Sequence, residues 1–305
     1  MTPSADALEP SHAACRRLCR RSGSNFTAWF FVLPREKRRA MDALYAFMRH
    51  TDDLADEPHP DHLRAQSLVE WRAALDRALT GHFEPPPAVP HAASQPSPGR
   101  AILPAVADVV RRFRVPPESL RAVIDGVAMD LHQRRYETFA ELEQYCRLVA
   151  AAVGEACIHV WGFRGSEALV PARQCGVAMQ LTNILRDLRE DAEQDRVYLP
   201  QEDLRQCEYT VEDLRAGRAD ARFARLVALE AGRAEALYDQ AAALRPWLTP
   251  DGRRVFGMLT AVYRALLRKL ARRPATILRR RVSVGRGRKL LIAARWLLGP
   301  VGGAP

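Results

Sequence analysis

QLTNILRDLREDAEQDRVYLP, residues 180–200, is best read as a helix carrying a ligand line. On an α-helix Asn183, Asp187 and Asp191 fall at i, i+4 and i+8. At about 100° per residue they drift by only about 40° per step, so the three lie along one face. Two carboxylates and an amide oxygen in a row are hard oxygen donors, the set Mg²⁺ takes when it also binds substrate phosphates. Gln180 stands one turn earlier on the same side. Arg186, Arg189 and Arg196 bring cations near, with Arg196 placed at the helix end to meet an anion. Taken alone, such a stretch is a solvated, salt-bridged helix. A second acidic cluster far upstream changes the reading. RHTDDLADE, residues 49–57, again puts two carboxylates, Asp52 and Asp56, at i and i+4. Two aspartate-rich helix faces point to one shared metal site.

The first of these faces sits on a helix expected over 35–55, opened by Pro34 near its first turn. Ala40, Leu44, Phe47 and Met48 form its apolar side. Tyr45, Arg49, Asp52 and Asp56 follow one another on a single polar stripe, which is costly on a buried helix unless it lines a cavity with something to bind. Apolar periodicity predicts further helices over 13–21, 61–79, 102–113, 117–130, 142–162, 172–192, 202–204, 210–215, 222–244 and 253–270. Residues 26–31 are apolar on all sides and are expected to be a buried helical segment. No β-alternation of useful length occurs, so the fold class is all-α. Residues 1–22 read as a flexible start, and 23–298 as one helical domain with a central active-site cavity. Residues 81–99, with prolines at 85, 86, 87, 90, 96 and 98, read as a surface loop inside that domain. The run LVAAAVGEACIHVWGF, 148–163, is rich in small residues. It either lets neighbouring helices approach or leaves room for a chain-like apolar ligand.

At 305 residues with 48% hydrophobic and 27% charged content, a folded globular chain is expected. The most apolar run contains Glu155 and falls short of the ~20 residues needed to span a bilayer. No apolar signal core opens the chain. The six cysteines are scattered without a C-x-x-C pair, as in reduced thiols of a cytoplasmic protein. His50 adjoins the first cluster but points off its line, and His159 sits in an apolar run, so neither is a candidate ligand. Charge is uneven: a whole-chain +10 with +14 in residues 252–305 leaves −4 on the first 251.

LPREKRRAMDALYAFMRHTDDLADE (33–57) and the 180–200 segment together resemble the two signature segments of the squalene and phytoene synthase family. Met129-Asp130 with Tyr136, then Tyr145 and 149–154, are similar to that family's middle segment, and the resemblance covers roughly 23–298. It implies an all-helical isoprenoid synthase bundle and Mg²⁺-dependent head-to-head joining of two allylic isoprenoid diphosphates. By that resemblance Asp52, Asp56, Asn183, Asp187 and Asp191 would coordinate Mg²⁺. Tyr45, Arg49 and Arg196 would hold diphosphate oxygens, and Gln180 and Tyr136 would line the reaction centre. Two departures stand out: Asn25 replaces the usual serine, and Asp195 precedes Arg196 where glycine is usual, adding negative charge beside a phosphate-binding arginine.

The QLTNILRD form resembles bacterial presqualene diphosphate synthases, and phytoene or dehydrosqualene synthases as well. Two farnesyl diphosphates giving presqualene diphosphate is the favoured reading, with phytoene or dehydrosqualene synthesis the alternative. NADPH use is possible but not favoured, there being no Gly-x-Gly-x-x-Gly after a strand. A non-catalytic assembly factor of the same fold is expected to have lost metal ligands, and both clusters are present here. The basic segment 274–298, with Trp296 among leucines and arginines, reads as an amphipathic tail for anionic membrane rather than for nucleic acid. The expected location is cytoplasmic, peripheral at the inner face of the cell membrane.

Overall fold

Prolines and short polar caps cut this chain into helices. The computed structural model describes residues 5–22, 26–83 and 98–298. Asn25, and the 84–97 part of the expected loop, lie outside the described residues. Among the described residues all regular structure is helical, with two isolated β-bridges, Arg135 to Val197 and Phe163 to Leu248.

The contacts divide the chain into two compact units where one domain is expected. Residues 1–131 and 155–162 make the first, and 132–154 and 163–305 the second. Both are helical, and the proline-rich stretch lies inside the first unit, so no linker marks the division.

In the first unit α1 spans Ala5–Ser22, α2 Arg35–Asp56, α3 Asp61–Leu79, α4 Pro98–Phe113 and α5 Pro117–Met129. The start is therefore helical from Ala5, where a flexible segment with a helix only over 13–21 is expected. Cys15 and Cys19 are buried and Ser11 Oγ accepts the Ala105 amide of α4 at 3.0 Å, so burial and a hydrogen bond hold α1 in place. Pro34 and Pro60 immediately precede α2 and α3, their fixed φ suiting a helix entry. Between α1 and α2, Thr27–Val32 is a short 3₁₀ helix; Trp29 and Phe30 are buried, but Phe31 is 52% exposed, so the segment is not enclosed on all sides.

In the second unit α6 (Phe139–Cys146) runs through a π-turn at Arg147–Ala151 into α7 (Ala152–Trp161), whose later residues belong to the first unit. Then come α8 (Leu169–Glu193), α9 (Gln201–Gln206), α10 (Val211–Arg215), α11 (Ala221–Ala241), α12 (Pro250–Arg272) and α13 (Arg286–Leu298). Thr210 and Asp213 form a capping box on α10, and Asp220 caps α11 by accepting two amide bonds at 2.9 and 3.2 Å. Helix α8 packs chiefly on α11, which turns Phe223, Val227, Ala231, Ala234 and Tyr238 inward at helical spacing. The π-turn packs on α8 too. A Cβ on Gly176 would meet the Ala150 carbonyl, and one on Gly154 would lie 2.7 Å from the Ala172 carbonyl oxygen. Part of the small-residue run thus serves close helix approach.

Candidate active site

Helix α2 is locked from behind. Thr51 is fully buried, donating to the Phe47 carbonyl at 2.9 Å and accepting from Trp71 Nε1 at 2.9 Å. His50 is buried edge-on to Trp71, ring centres 4.7 Å apart. With that face fixed in the core, the polar stripe has one available direction. Tyr45 stacks on Phe26 at 6.2 Å, and Arg49 pairs with Asp53 at 2.6 Å. Asp52 and Asp56 are exposed. Surrounding protein nonetheless desolvates Asp52 and pushes its pKa up to about 7; Arg49 opposes the rise, while Asp56, Asp130 and Asp53 add to it. Asp130, at the end of α5, is a carboxylate of this face that sequence reading leaves un-nominated; its place beside Asp52 depends on how α5 meets α2.

On α8, Asn183 Nδ2 donates to Gln180 Oε1 at 3.3 Å, while Asn183 Oδ1 is buried with no hydrogen-bond partner. One turn on, Asp187 is held by two arginines. Arg186 Nε donates to Oδ1 at 2.8 Å and its Nη2 bonds Oδ2, and Arg281 Nε lies 3.2 Å from Oδ1 and 3.8 Å from Glu190. Arg281 comes from the segment before α13, which Arg189 anchors by donating to the Arg279 carbonyl at 2.9 Å. Tyr263 of α12 stands by these groups; burial raises its phenol, and Arg186 and Asn183 pull the other way. Arg281 and Tyr263 carry no sequence signal linking them to Asp187, because only the folding of α12 and its continuation over α8 joins them.

Past the end of α8, the Arg196 amide donates to the Asp191 carbonyl at 2.8 Å and Val197 to Tyr198 are buried. Asp195 has φ +59° and turns away: Arg135 bonds it at 2.6 Å, Arg215 pairs with it, and Arg134 lies 3.8 Å off. Arg135 holds its carboxyl below the usual range. Three arginines therefore neutralise the charge that the sequence places next to Arg196. Tyr136 is fully buried in a cluster with Tyr145 and Tyr198, at 5.5 and 6.0 Å. His159 is half-buried and bonded to the Phe113 backbone, a core residue.

The donor chemistry fits a hard divalent cation. Asn183 Oδ1 is an orphaned buried oxygen in line with Asp187 and Asp191 on α8. Among the described residues no three His, Cys, Asp or Glu side chains converge. Each face by itself would therefore hold a cation incompletely, leaving positions for phosphate oxygens or water.

A helical fold with two such aspartate faces is the outline of an isoprenoid synthase, and comparison with known proteins narrows it. The squalene/phytoene synthase family model matches residues 19–288. The chain is 31% identical over 296 residues to 15-cis-phytoene synthase of Synechococcus elongatus, covering 93% of this chain and 91% of that protein. Among solved structures it is similar to squalene synthase HpnC from Alicyclobacillus acidocaldarius (28% identity, TM-score 0.77, 90% and 97% of the two chains). It is likewise similar to a dehydrosqualene synthase in complex with ligand (26%, TM-score 0.83, 96% and 97%). The chain belongs to the squalene/phytoene synthase family and is a prenyltransferase of the kind that condenses prenyl diphosphates head to head.

Proposed function

We propose that this chain condenses two farnesyl diphosphates to presqualene diphosphate, with Mg²⁺ held by Asp52 and Asp56 of α2 and by Asn183, Asp187 and Asp191 of α8. The observation that carries the reading is on α8: an unpartnered buried amide oxygen beside a carboxylate neutralised by two arginines. Such an arrangement is made for exchange. When bound, the metal neutralises charge developing on the departing diphosphate. Arg186 and Arg281, released from Asp187, turn their guanidinium donors to phosphate oxygens, which arginine binds bidentately. Arg49 and the Tyr45 hydroxyl add donors from α2, and Arg196 adds one from just past the end of α8. Gln180 and the Tyr136 cluster border the reacting carbons and keep water from the allylic cation.

A second product, phytoene, is favoured by the name and 31% identity of the Synechococcus relative. Product analysis decides: purified protein with Mg²⁺ and either farnesyl or geranylgeranyl diphosphate, with and without NADPH. A C30 diphosphate from farnesyl diphosphate supports the first reading; phytoene from geranylgeranyl diphosphate alone replaces it. Asp52→Asn and Asp187→Asn should each lower turnover by at least about two to three orders of magnitude, with unchanged circular dichroism. Near-normal rates in either would remove that residue from the proposed metal ligands. Substrates with long apolar tails place such an enzyme at a membrane surface.

A further inference from the structure

Helix α13 has two apolar faces, and only one of them is used by the protein. Ile292 is buried and Trp296 packs on α12 where Gly257 leaves room, a Cβ at Gly257 running into the indole. The Arg245 guanidinium lies 5.6 Å from the same ring. Trp296 is therefore an anchor within the fold, which corrects the expectation that it centres a membrane stripe. The 274–298 tail is also not one helix: residues 277–285 are irregular, and the helix begins at Arg286.

The opposite face is open. Leu290 is 70% exposed, Leu291 62%, Leu297 39% and Leu298 86%. At about 100° per residue these four and Ala294 centre about 180° from the direction of Ile292 and Trp296. Arg288 and Arg295 border the stripe on one side and Arg286 on the other. All three are exposed, and none makes an ion pair with a described residue. No acidic residue occurs anywhere in 252–305. A short helix with exposed leucines, rimmed by free arginines and fixed to the body by its back, matches a helix lying in the headgroup plane. Among the described residues no helix is long and apolar enough to cross a membrane.

We infer that the Leu290-Leu291-Leu297-Leu298 face of α13 is a docking surface for anionic phospholipid, deepening the reading of this chain as an enzyme of long-chain prenyl diphosphates and resting on it only for purpose. Charge complementarity selects the occupant: an arginine rim favours anionic headgroups over a neutral bilayer, and over a second copy of the same basic surface.

The test is co-sedimentation of the full chain with phosphatidylglycerol-containing vesicles and with phosphatidylcholine alone, at low and high salt. The wild type should sediment with the anionic vesicles and be released by salt. Replacing Arg286, Arg288 and Arg295 with glutamine should weaken binding about a hundredfold, each basic residue contributing roughly fivefold near an anionic surface. Changing Leu290, Leu291, Leu297 and Leu298 to glutamine should abolish it, with circular dichroism and turnover of detergent-dispersed substrate unchanged. Equal binding to neutral vesicles, or sedimentation of the leucine variant like wild type, overturns the inference. So does a wild-type dimer in light scattering that the leucine variant makes monomeric, because the face would then belong to a second copy. Asp187→Asn, inactive but still vesicle-bound, keeps failure of docking distinct from failure of the catalytic reading.

Discussion

With Arg186 and Arg281 both on its carboxylate, Asp187 is already neutralised, which in the proposed metal reading sets these arginines against the cation. The two guanidinium groups occupy oxygen lone pairs that a cation would need, so they compete with it. Arg186 immediately precedes Asp187 on the same helix and cannot withdraw far. Arg281 comes from an irregular segment, its side chain is 58% exposed, and it can move. Arg281→Gln should therefore act in opposite directions on two quantities. Mg²⁺ affinity without substrate should rise, because one competitor is gone. The kcat/KM should fall about ten- to a hundredfold, the loss expected for a charge-assisted hydrogen bond to a phosphate oxygen. Calorimetric metal titration beside steady-state kinetics reads both. A variant with weaker metal binding and normal kcat/KM would show that Arg281 only orders the chain over α8.

The pairing of α8 with the π-turn depends on two missing side chains. A methyl group at Gly176 has no space between α8 and the Ala150 carbonyl, and Ala151 Cα lies 2.7 Å from where it would sit. Both opposing atoms are backbone and cannot rotate aside. Gly176→Ala should cost about 1–3 kcal/mol or more in urea unfolding, as overpacked cores do, although alanine is the better helix former. Helix α11 carries a different vulnerability. Glu230 is 1% exposed, and burial pushes its pKa up to about 8, with Asp203 adding to the rise and Arg233 opposing it. The unfolded chain binds that proton only below its ordinary value near 4.5. Between about pH 4.5 and 8 the folded state thus holds a proton that the unfolded state has lost, and stability drains away as pH rises. Glu230→Gln removes this titration, so the melting temperature of the variant relative to wild type should climb across that window. A difference that stays flat with pH would place the ionised form in the native state.

Of the two segments that composition marks as loose, one is structural. Truncation to residue 23 would remove α1, uncover the cavity left by Cys15 and Cys19, and orphan the Ala105 amide. Such a protein should lose several kcal/mol, since each fully buried side chain is worth about 1.5–3 kcal/mol, and should express poorly. Deleting 85–96 should change the unfolding midpoint little, because closure entropy varies only with the logarithm of loop length. The deletion must spare 98–113: α4 begins at Pro98, and Gly99 is buried against His50 and Trp71. If the trimmed loop destabilises as much as the loss of α1, the loop is part of the core.

Much of this was readable along the chain. Period-3.6 patterning and proline punctuation located α2 and α3 to within a residue or two, because those signals act over single helical turns. That Asn183, Asp187 and Asp191 share one face of α8 was legible for the same reason: i, i+4 spacing is itself a geometry. Other features had no local signature. The cysteines of α1 look like any basic amphipathic stretch until α2 and α4 bury them. Asp195 looks like a negative charge set against any anion at Arg196 until Arg135 and Arg215, distant in sequence, pair with it. Arg281 meets Asp187 only through the long return of α12, and Trp296 faces inward only because Gly257 has no side chain. Helical periodicity tells which residues share a face. Which faces find partners, and which charges are met, depends on contacts between residues far apart in sequence, and those exist only in the folded chain.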